Sequence, residues 1–294
     1  MIHLKAFTHN TIKNILVKTL FLLLLLSAFV FISFRFSVII DPLNINKDEN
    51  RQRYTLTSTG STSMSRLLNV LGEKFSENYN GDYLYEKSET GSGAAINEVI
   101  NGNYNLGDIS RYLTPEEESK KIKKNIIAYD AVVVIVNKRN PIENLSLQEI
   151  ADIFTRKINN WQIFTNENVK ITTIGREEAS GTREAFRNAF YTPKKLKAEI
   201  ELPESGDIVS RVASDKDAIG FVSYPSVNNN NVRILKINGI ECNNVNLKNR
   251  LYPIIRPFIQ VYNDNNYIIE KWFEFIKSDK AKEIIENEKL IPVI

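Results

Sequence analysis

Three short polar loops concentrate the groups of this chain that can hold an anion: STGSTS (58–63), ETGSG (89–93) and GREEASGTR (175–183). Each follows an extended segment and precedes a helical one. Glycine and serine let the backbone come close to a ligand, hydroxyls donate hydrogen bonds, and a helix start adds free N–H groups with a favourable dipole. Those are the ingredients of an oxyanion site, although any single loop of this kind is also an ordinary capped turn. Three of them, one flanked by Arg176 and Arg183, favour the anion reading without identifying the anion.

Other chemistries find less support. There is no GxxxxGK[ST] loop, and the run ETGSGAAINEVINGN lacks the spacing of a dinucleotide fingerprint. The only histidines are His3 and His9, ahead of an apolar leader, so the rest of the chain can assemble neither a Ser-His-Asp triad nor a histidine metal site. Glu177 and Glu178 offer carboxylates for acid–base work, but adjacent glutamates near a helix start are more simply solvated or capping. Cys242 is the sole cysteine, which excludes an internal disulfide. No cofactor or metal is implied. A hydrolase or transferase acting on a phosphorylated substrate, with Ser92 or Ser180 as nucleophile, stands as the alternative from another class.

The 294 residues suffice for one large domain or two ordinary ones. From Tyr54 onward, β-branched or aromatic runs alternate with amphipathic stretches, the rhythm of an α/β sheet covered by helices. Strands are predicted at 54–58, 83–87, 126–137, 171–175, 218–223, 232–237 and 257–263, and helices at 63–79, 93–101, 115–124, 147–154, 181–190, 206–214 and 267–286. The run at 126–137 reads either as a buried central strand or as one passing between lobes.

Charge and hydropathy set the leader apart. The net charge is +3, but residues 1–53 carry seven basic and three acidic groups, so the remainder is almost neutral and offers no basic face for nucleic acid. Residues 19–34 (TLFLLLLLSAFVFISF) are free of charge. Such a run makes about 24 Å of helix, which spans a hydrocarbon core of roughly 30 Å once Arg35 snorkels and FSVII is included. The sequence thus predicts a basic segment (1–18), a transmembrane anchor or signal segment (19–40), a polar linker (41–53) and an exported body (54–294). That places the body on the extracytoplasmic face of the membrane, tethered by the N-terminal helix. A cleaved signal peptide, leaving a secreted or periplasmic protein, is the competing reading, although no Ala-x-Ala site follows the apolar run.

The three loops, in this order, resemble those of the solute-binding proteins of high-affinity phosphate ABC importers. LQEIADIFTRKINNW (147–161) is similar to that family's I-F-x-G-x-I-x-N-W segment, AIGFVSY (218–224) to its second interlobe strand region, and LYPIIRPFIQVYN (251–263) to its YP-x-x-RP return strand. The resemblance implies a two-lobed type II periplasmic-binding fold, with a first lobe of about 54–132 and 225–294 and a second of about 133–224. It implies inorganic phosphate as ligand and, as partners, permease subunits with a cytoplasmic ATPase, with no catalysis. Thr62, Ser63, Ser92, Arg176, Ser180, Gly181 and Thr182 would bind the anion, Arg176 through a charge-assisted contact; Thr59 and Arg183 are weaker candidates. Where the family's D-x-G-x-x-(S/D)-R loop has an Asp that accepts the proton of phosphate, the ungapped match puts Asn105, in NLGDISR (105–111), with Asp108 reaching the site only in another register. Asn donates as well as accepts, so weaker rejection of sulfate, or a role with another tetrahedral oxyanion, follows from that placement.

Overall fold

The computed structural model describes residues 18–20, 53–190 and 198–293. In chain order the described elements are β1 (Tyr54–Gly60), a 3-10 turn (Thr62–Met64) leading into α1 (Ser65–Asn78), β2 (Tyr83–Glu89), α2 (Ser92–Ile100), β3 (Leu106–Ile109), α3 (Pro115–Ser119) and β4 (Lys123–Asn137). There follow β5 (Asn144–Leu145), α4 (Leu147–Phe154), β6 (Thr172–Arg176), α5 (Gly181–Asn188), β7 (Ile200–Leu202), α6 (Ser205–Ser214), β8 (Ala218–Ser223), β9 (Val232–Ile234) and β10 (Lys236–Ile237). The chain closes with α7 (Asn244–Lys248), β11 (Ile255–Tyr262), α8 (Tyr267–Ile276), α9 (Asp279–Asn287) and β12 (Ile291–Pro292).

The principal sheet runs β2-β1-β3-β11-β4-β8-β6-β7. β4 divides it. Lys123–Ala131 pairs antiparallel with β11, whereas Val132–Val136 pairs with β8, so one strand serves two halves of the sheet. Ala131 to Val136 are wholly buried, as a β-branched run covered on both faces must be. Both readings of 126–137 therefore hold: the strand is buried and it crosses between halves.

Each half has its own core. Phe75, Leu68, Trp272 and Phe258 centre the first, with Phe75 edge-on to Trp272 at 5.2 Å between centroids. Phe154, Phe186 and Phe221 centre the second, Phe186 stacking on Phe221 at 4.0 Å. α4 owes its start to a reciprocal cap, Ser146 accepting from Glu149 N–H while the Glu149 carboxylate receives the Ser146 N–H.

Three expectations change. The helix predicted over 267–286 is two, because Ser278 caps a second helix by accepting from Ala281 N–H. The helix predicted over 115–124 stops at Ser119 and β4 begins at Lys123. The transmembrane helix is also corrected: no helix among the described residues is long and apolar enough to cross a membrane. Of the segment 19–40 only Thr19 and Leu20, in a helical stretch, are described; the rest, like the basic segment before Lys18 and the linker before Arg53, lies outside the described residues.

Candidate anion-binding site

The carboxyl ends of β1, β3 and β6 and the start of β11 come together where the two halves meet, the usual position of a ligand crevice in α/β sheets. Contacts between halves define the centre. Ser63 Oγ lies 2.7 Å from Thr182 Oγ1, Arg176 Nη2 donates to Thr62 Oγ1 at 3.1 Å, and Gly93 N–H donates to the Ala179 carbonyl at 3.3 Å. The starts of the 3-10 turn, α2 and α5 are thereby gathered around one point, each bringing the positive end of its dipole.

Two glycines make the convergence possible. Gly60 has φ +139°, and a Cβ there would stand 2.2 Å from the Asp108 carbonyl; its own carbonyl receives Thr90 N–H at 3.2 Å and Gly91 N–H at 2.9 Å, which fixes the second loop to the first. At Gly181, a Cβ would meet Ser92 Oγ at 2.5 Å and Ser110 Oγ at 2.6 Å, so only glycine admits α5 this close to the other half.

Arg176, at the end of β6, is 3 % exposed. Its guanidinium donates to Ser205 Oγ at 3.1 Å, to Thr62 Oγ1 and to the Pro203 carbonyl, all uncharged, and its Nε has no partner. Burial, with Arg256 nearby, lowers its pKa to about 10. A buried cation whose hydrogen bonds go to neutral groups is costly, and an anion in the cleft would relieve it.

The structure brings Thr62, Ser63, Ser92, Arg176, Ser180, Gly181 and Thr182 together and leaves the other candidates outside. Asn105 stands apart: its Oδ1 receives Thr57 N–H at 2.9 Å and Thr57 Oγ1–H at 3.1 Å, bracing the beginning of β3 against β1 well before the loops. Asp108 is wholly buried, accepting from Ser58 Oγ and from Gln260 Nε2, both at 2.9 Å, with Lys87 Nζ at 3.6 Å. Arg183 donates to the Arg176 carbonyl at 2.7 Å and pairs with Glu201 at 2.8 Å and Glu178 at 3.3 Å, which makes it a brace for the loop. Thr59 bonds Thr90 and Ser88.

Residues not singled out from the sequence complete the site. Ser110, one step past β3, receives Ser61 Oγ–H at 2.8 Å and Arg256 Nη1–H at 3.2 Å. Arg256 also donates to Thr182 Oγ1 at 2.8 Å, to the Ser110 carbonyl at 3.0 Å, and through Nε and Nη2 to Asp130 Oδ2 at 2.9 and 2.7 Å. Ser223 Oγ–H donates to the same Asp130 oxygen at 2.8 Å. Burial raises the Asp130 pKa against the pull of Arg256, and lowers that of Arg256 against the pull of Asp130. The sequence holds a signal for this pair: Asp130 is the one charge within the apolar stretch 126–136 and Arg256 the one charge of β11, and such charges are rarely buried unless partnered.

The site is thus a cradle of hydroxyls, helix starts and two guanidiniums set between two α/β halves. The model of the PBP superfamily domain matches residues 46–280. The phosphate-binding protein PstS of Bacillus subtilis is 26% identical over 282 residues, covering 93% of this chain and 94% of its own length. Among solved structures, a Clostridium perfringens protein with bound phosphate, described as a phosphate ABC transporter substrate-binding protein, shares 32% identity and superposes with a TM-score of 0.78 over 82% of this chain and 100% of its own. An ABC-type phosphate transport receptor from Vibrio cholerae shares 25% identity, with a TM-score of 0.68 over 81% and 100%. The chain belongs to the PBP superfamily, and within it to the PstS-type phosphate-binding proteins.

Proposed function

We propose that this protein captures inorganic phosphate outside the cytoplasm and delivers it to the permease and ATPase of an ABC importer, without covalent chemistry. The observation that carries the reading is Arg176, a buried guanidinium with only neutral hydrogen-bond partners at the meeting point of three helix starts. Phosphate supplies the missing negative charge and accepts from the surrounding donors, so the closed arrangement is favoured when it is bound. Thr62, Ser63, Ser92, Ser180, Thr182 and the N–H of Gly181 are the contacts we assign beside Arg176, and Ser110 and Arg256 join them. The relatives described as phosphate-binding or phosphate transport proteins support the ligand and the importer alike. For the lobes, we take the first as about 54–131 with the chain from Ile255, and the second as the chain between; the return falls at 254–255 instead of near 225. Pairing of β9 with 135–137 and burial of Leu235, Ile237 and Leu247 in the second core support that division.

Isothermal titration of the purified protein with phosphate tests the reading. One phosphate per chain is expected, and Arg176→Ala should weaken binding by about 2 to 5 kcal/mol, roughly thirtyfold to several thousandfold. Unchanged affinity in a folded Arg176→Ala protein would overturn it.

A further inference from the structure

Away from the cleft, one cavity gathers charge of a single sign. It is walled by the asparagine loop at 228–230, by β9, by Lys138 just past β4 and by Lys289 in the turn before β12, and its volume of about 520 Å³ lies within the roughly 300–1,000 Å³ usual for small-molecule sites. Lys138, Arg233 and Lys289 line it, and among the described residues no aspartate or glutamate does. The fold sets these cations together: β9 pairs Arg233 opposite Val136, and Lys138 N–H donates to the Asn231 carbonyl at 2.8 Å, so two of them share one end of β4.

Their charges are barely offset. The Lys138 ammonium has no carboxylate partner among the described residues. Lys289 Nζ donates to the Val227 carbonyl at 3.4 Å and stands 5.2 Å from the centre of the Tyr224 ring, both neutral groups. Arg233 donates to the carbonyls of Asn140 at 3.1 Å, Ile142 at 3.3 Å and Lys138 at 3.4 Å, which hold the guanidinium in place without neutralising it. Its one acidic neighbour, Glu143, is 3.6 Å away with a side chain 73% exposed, and a solvated pair of that kind contributes little.

We infer that this groove is a second anion site, separate from the cleft, and that it takes an oligophosphate, a chain of linked phosphoryl groups able to meet all three cations. A single tetrahedral ion would leave most of the space to water and pair with one exposed lysine, which holds it weakly. An anion that repeats its charge along its length adds one contact to the next. Lysine serves phosphoryl oxygens as a point charge and arginine as a fork, and the side-chain amides of Asn228 and Asn230 in the wall bring further N–H donors. The inference does not depend on what the cleft binds.

The test is calorimetry on the full-length protein with the cleft filled by saturating inorganic phosphate, into which pyrophosphate and tripolyphosphate are titrated separately at about pH 8. One tripolyphosphate per chain is expected, bound about tenfold or more tightly than pyrophosphate. Raising the salt from about 50 to about 300 mM should weaken it about tenfold or more, because the contacts are solvent-exposed. Lys138→Gln and Lys289→Gln combined are expected to weaken tripolyphosphate at least about thirtyfold and to leave phosphate affinity within about twofold of wild type, since both side chains stand outside the gathered loops. Arg176→Ala, which disables the cleft, should keep tripolyphosphate binding. No binding of tripolyphosphate, an affinity indifferent to chain length, an unchanged affinity in the double variant, or loss of tripolyphosphate in Arg176→Ala would each overturn the inference. Unchanged phosphate affinity in Arg176→Ala overturns the reading of the cleft alone and leaves the groove standing.

Discussion

Arg111 Nε donates to Glu184 Oε2 at 2.6 Å, joining the residue after Ser110 in the first half to the residue two beyond Thr182 in the second. The two terminal nitrogens of Arg111 hold Glu117 at 2.7 Å each, and Glu117 is itself fixed by a reciprocal cap with Thr114. Burial works against the Arg111 charge, but Glu117 and Glu184 together raise its pKa. The guanidinium is therefore anchored on its own half and offers its remaining donor across the junction. Glu184→Gln keeps shape and removes that charge. It is expected to favour separation of the halves, lowering phosphate affinity about five- to thirtyfold, chiefly through faster release. Stopped-flow release kinetics check this, and an unchanged off-rate would mean the pair does not hold the bound state.

The pair Asp130–Arg256 ties the sheet to the cradle. Asp130→Asn leaves Arg256 buried without its countercharge, and a loss of about 3 to 5 kcal/mol in unfolding free energy is expected. Added phosphate should restore more stability to this variant than mass action alone gives wild type at the same saturation, because the anion takes over neutralisation of Arg256. Urea unfolding with and without phosphate reads both effects; an equal phosphate increment in the two proteins would place Arg256 outside the anion's reach.

Much of this is legible in the sequence. The three loops could be read because small residues and hydroxyls at helix starts are a local signal, and β4 could be read because AVVVIV is one too. β3 carries no such signal: four residues, LGDI, contain no β-branched run, and they become a strand only because β1 and β11 pair on either side. With β3 unplaced, the choice between Asn105 and Asp108 rests on alignment of letters, and Ser110 does not come into view. Strand geometry places Asn105 opposite Thr57, short of the loops, since a strand advances about 3.3 Å per residue. Arg256 and Asp130 show the complementary gap, in which each charge is visible in its strand but their partnership requires the antiparallel register of β4 and β11.

Asn105 therefore acts on folding. Asn105→Asp retains an oxygen for both Thr57 bonds and should leave the phosphate-to-sulfate ratio unchanged. Asn105→Ala removes the acceptor and is expected to cost about 1 to 3 kcal/mol of stability. Titration of both anions into the Asp variant, and urea unfolding of the Ala variant, check the two halves of the claim; a selectivity change in the Asp variant would return residue 105 to the site.

Asp108 gives the sharpest separation of fold from function. Burial lifts its pKa from 3.8 to about 6, against the opposing influence of Lys87 and of hydrogen bonds from Gln260 and Ser58. Gln260 in turn receives Trp272 Nε1–H at 2.7 Å, so the carboxyl belongs to a network reaching α8 in the first core. A folded-state pKa above the unfolded one means that the folded protein holds the proton more tightly. Its contribution to stability is then greatest below the unfolded value and declines as pH rises toward 6, by roughly 3 kcal/mol for a shift of about two units. Asp108→Asn cannot ionise and escapes that decline. The unfolding free energy of the variant minus that of wild type should accordingly increase between about pH 4 and 6 and level off above. Over the same range, phosphate and sulfate affinities measured at each pH should follow the same course in both proteins, because the Asp108 side chain touches none of the gathered hydroxyls or guanidiniums. A flat stability difference would mean that Lys87 keeps the carboxylate charged throughout, and altered anion selectivity in Asp108→Asn would move this carboxyl from the sheet into the cradle.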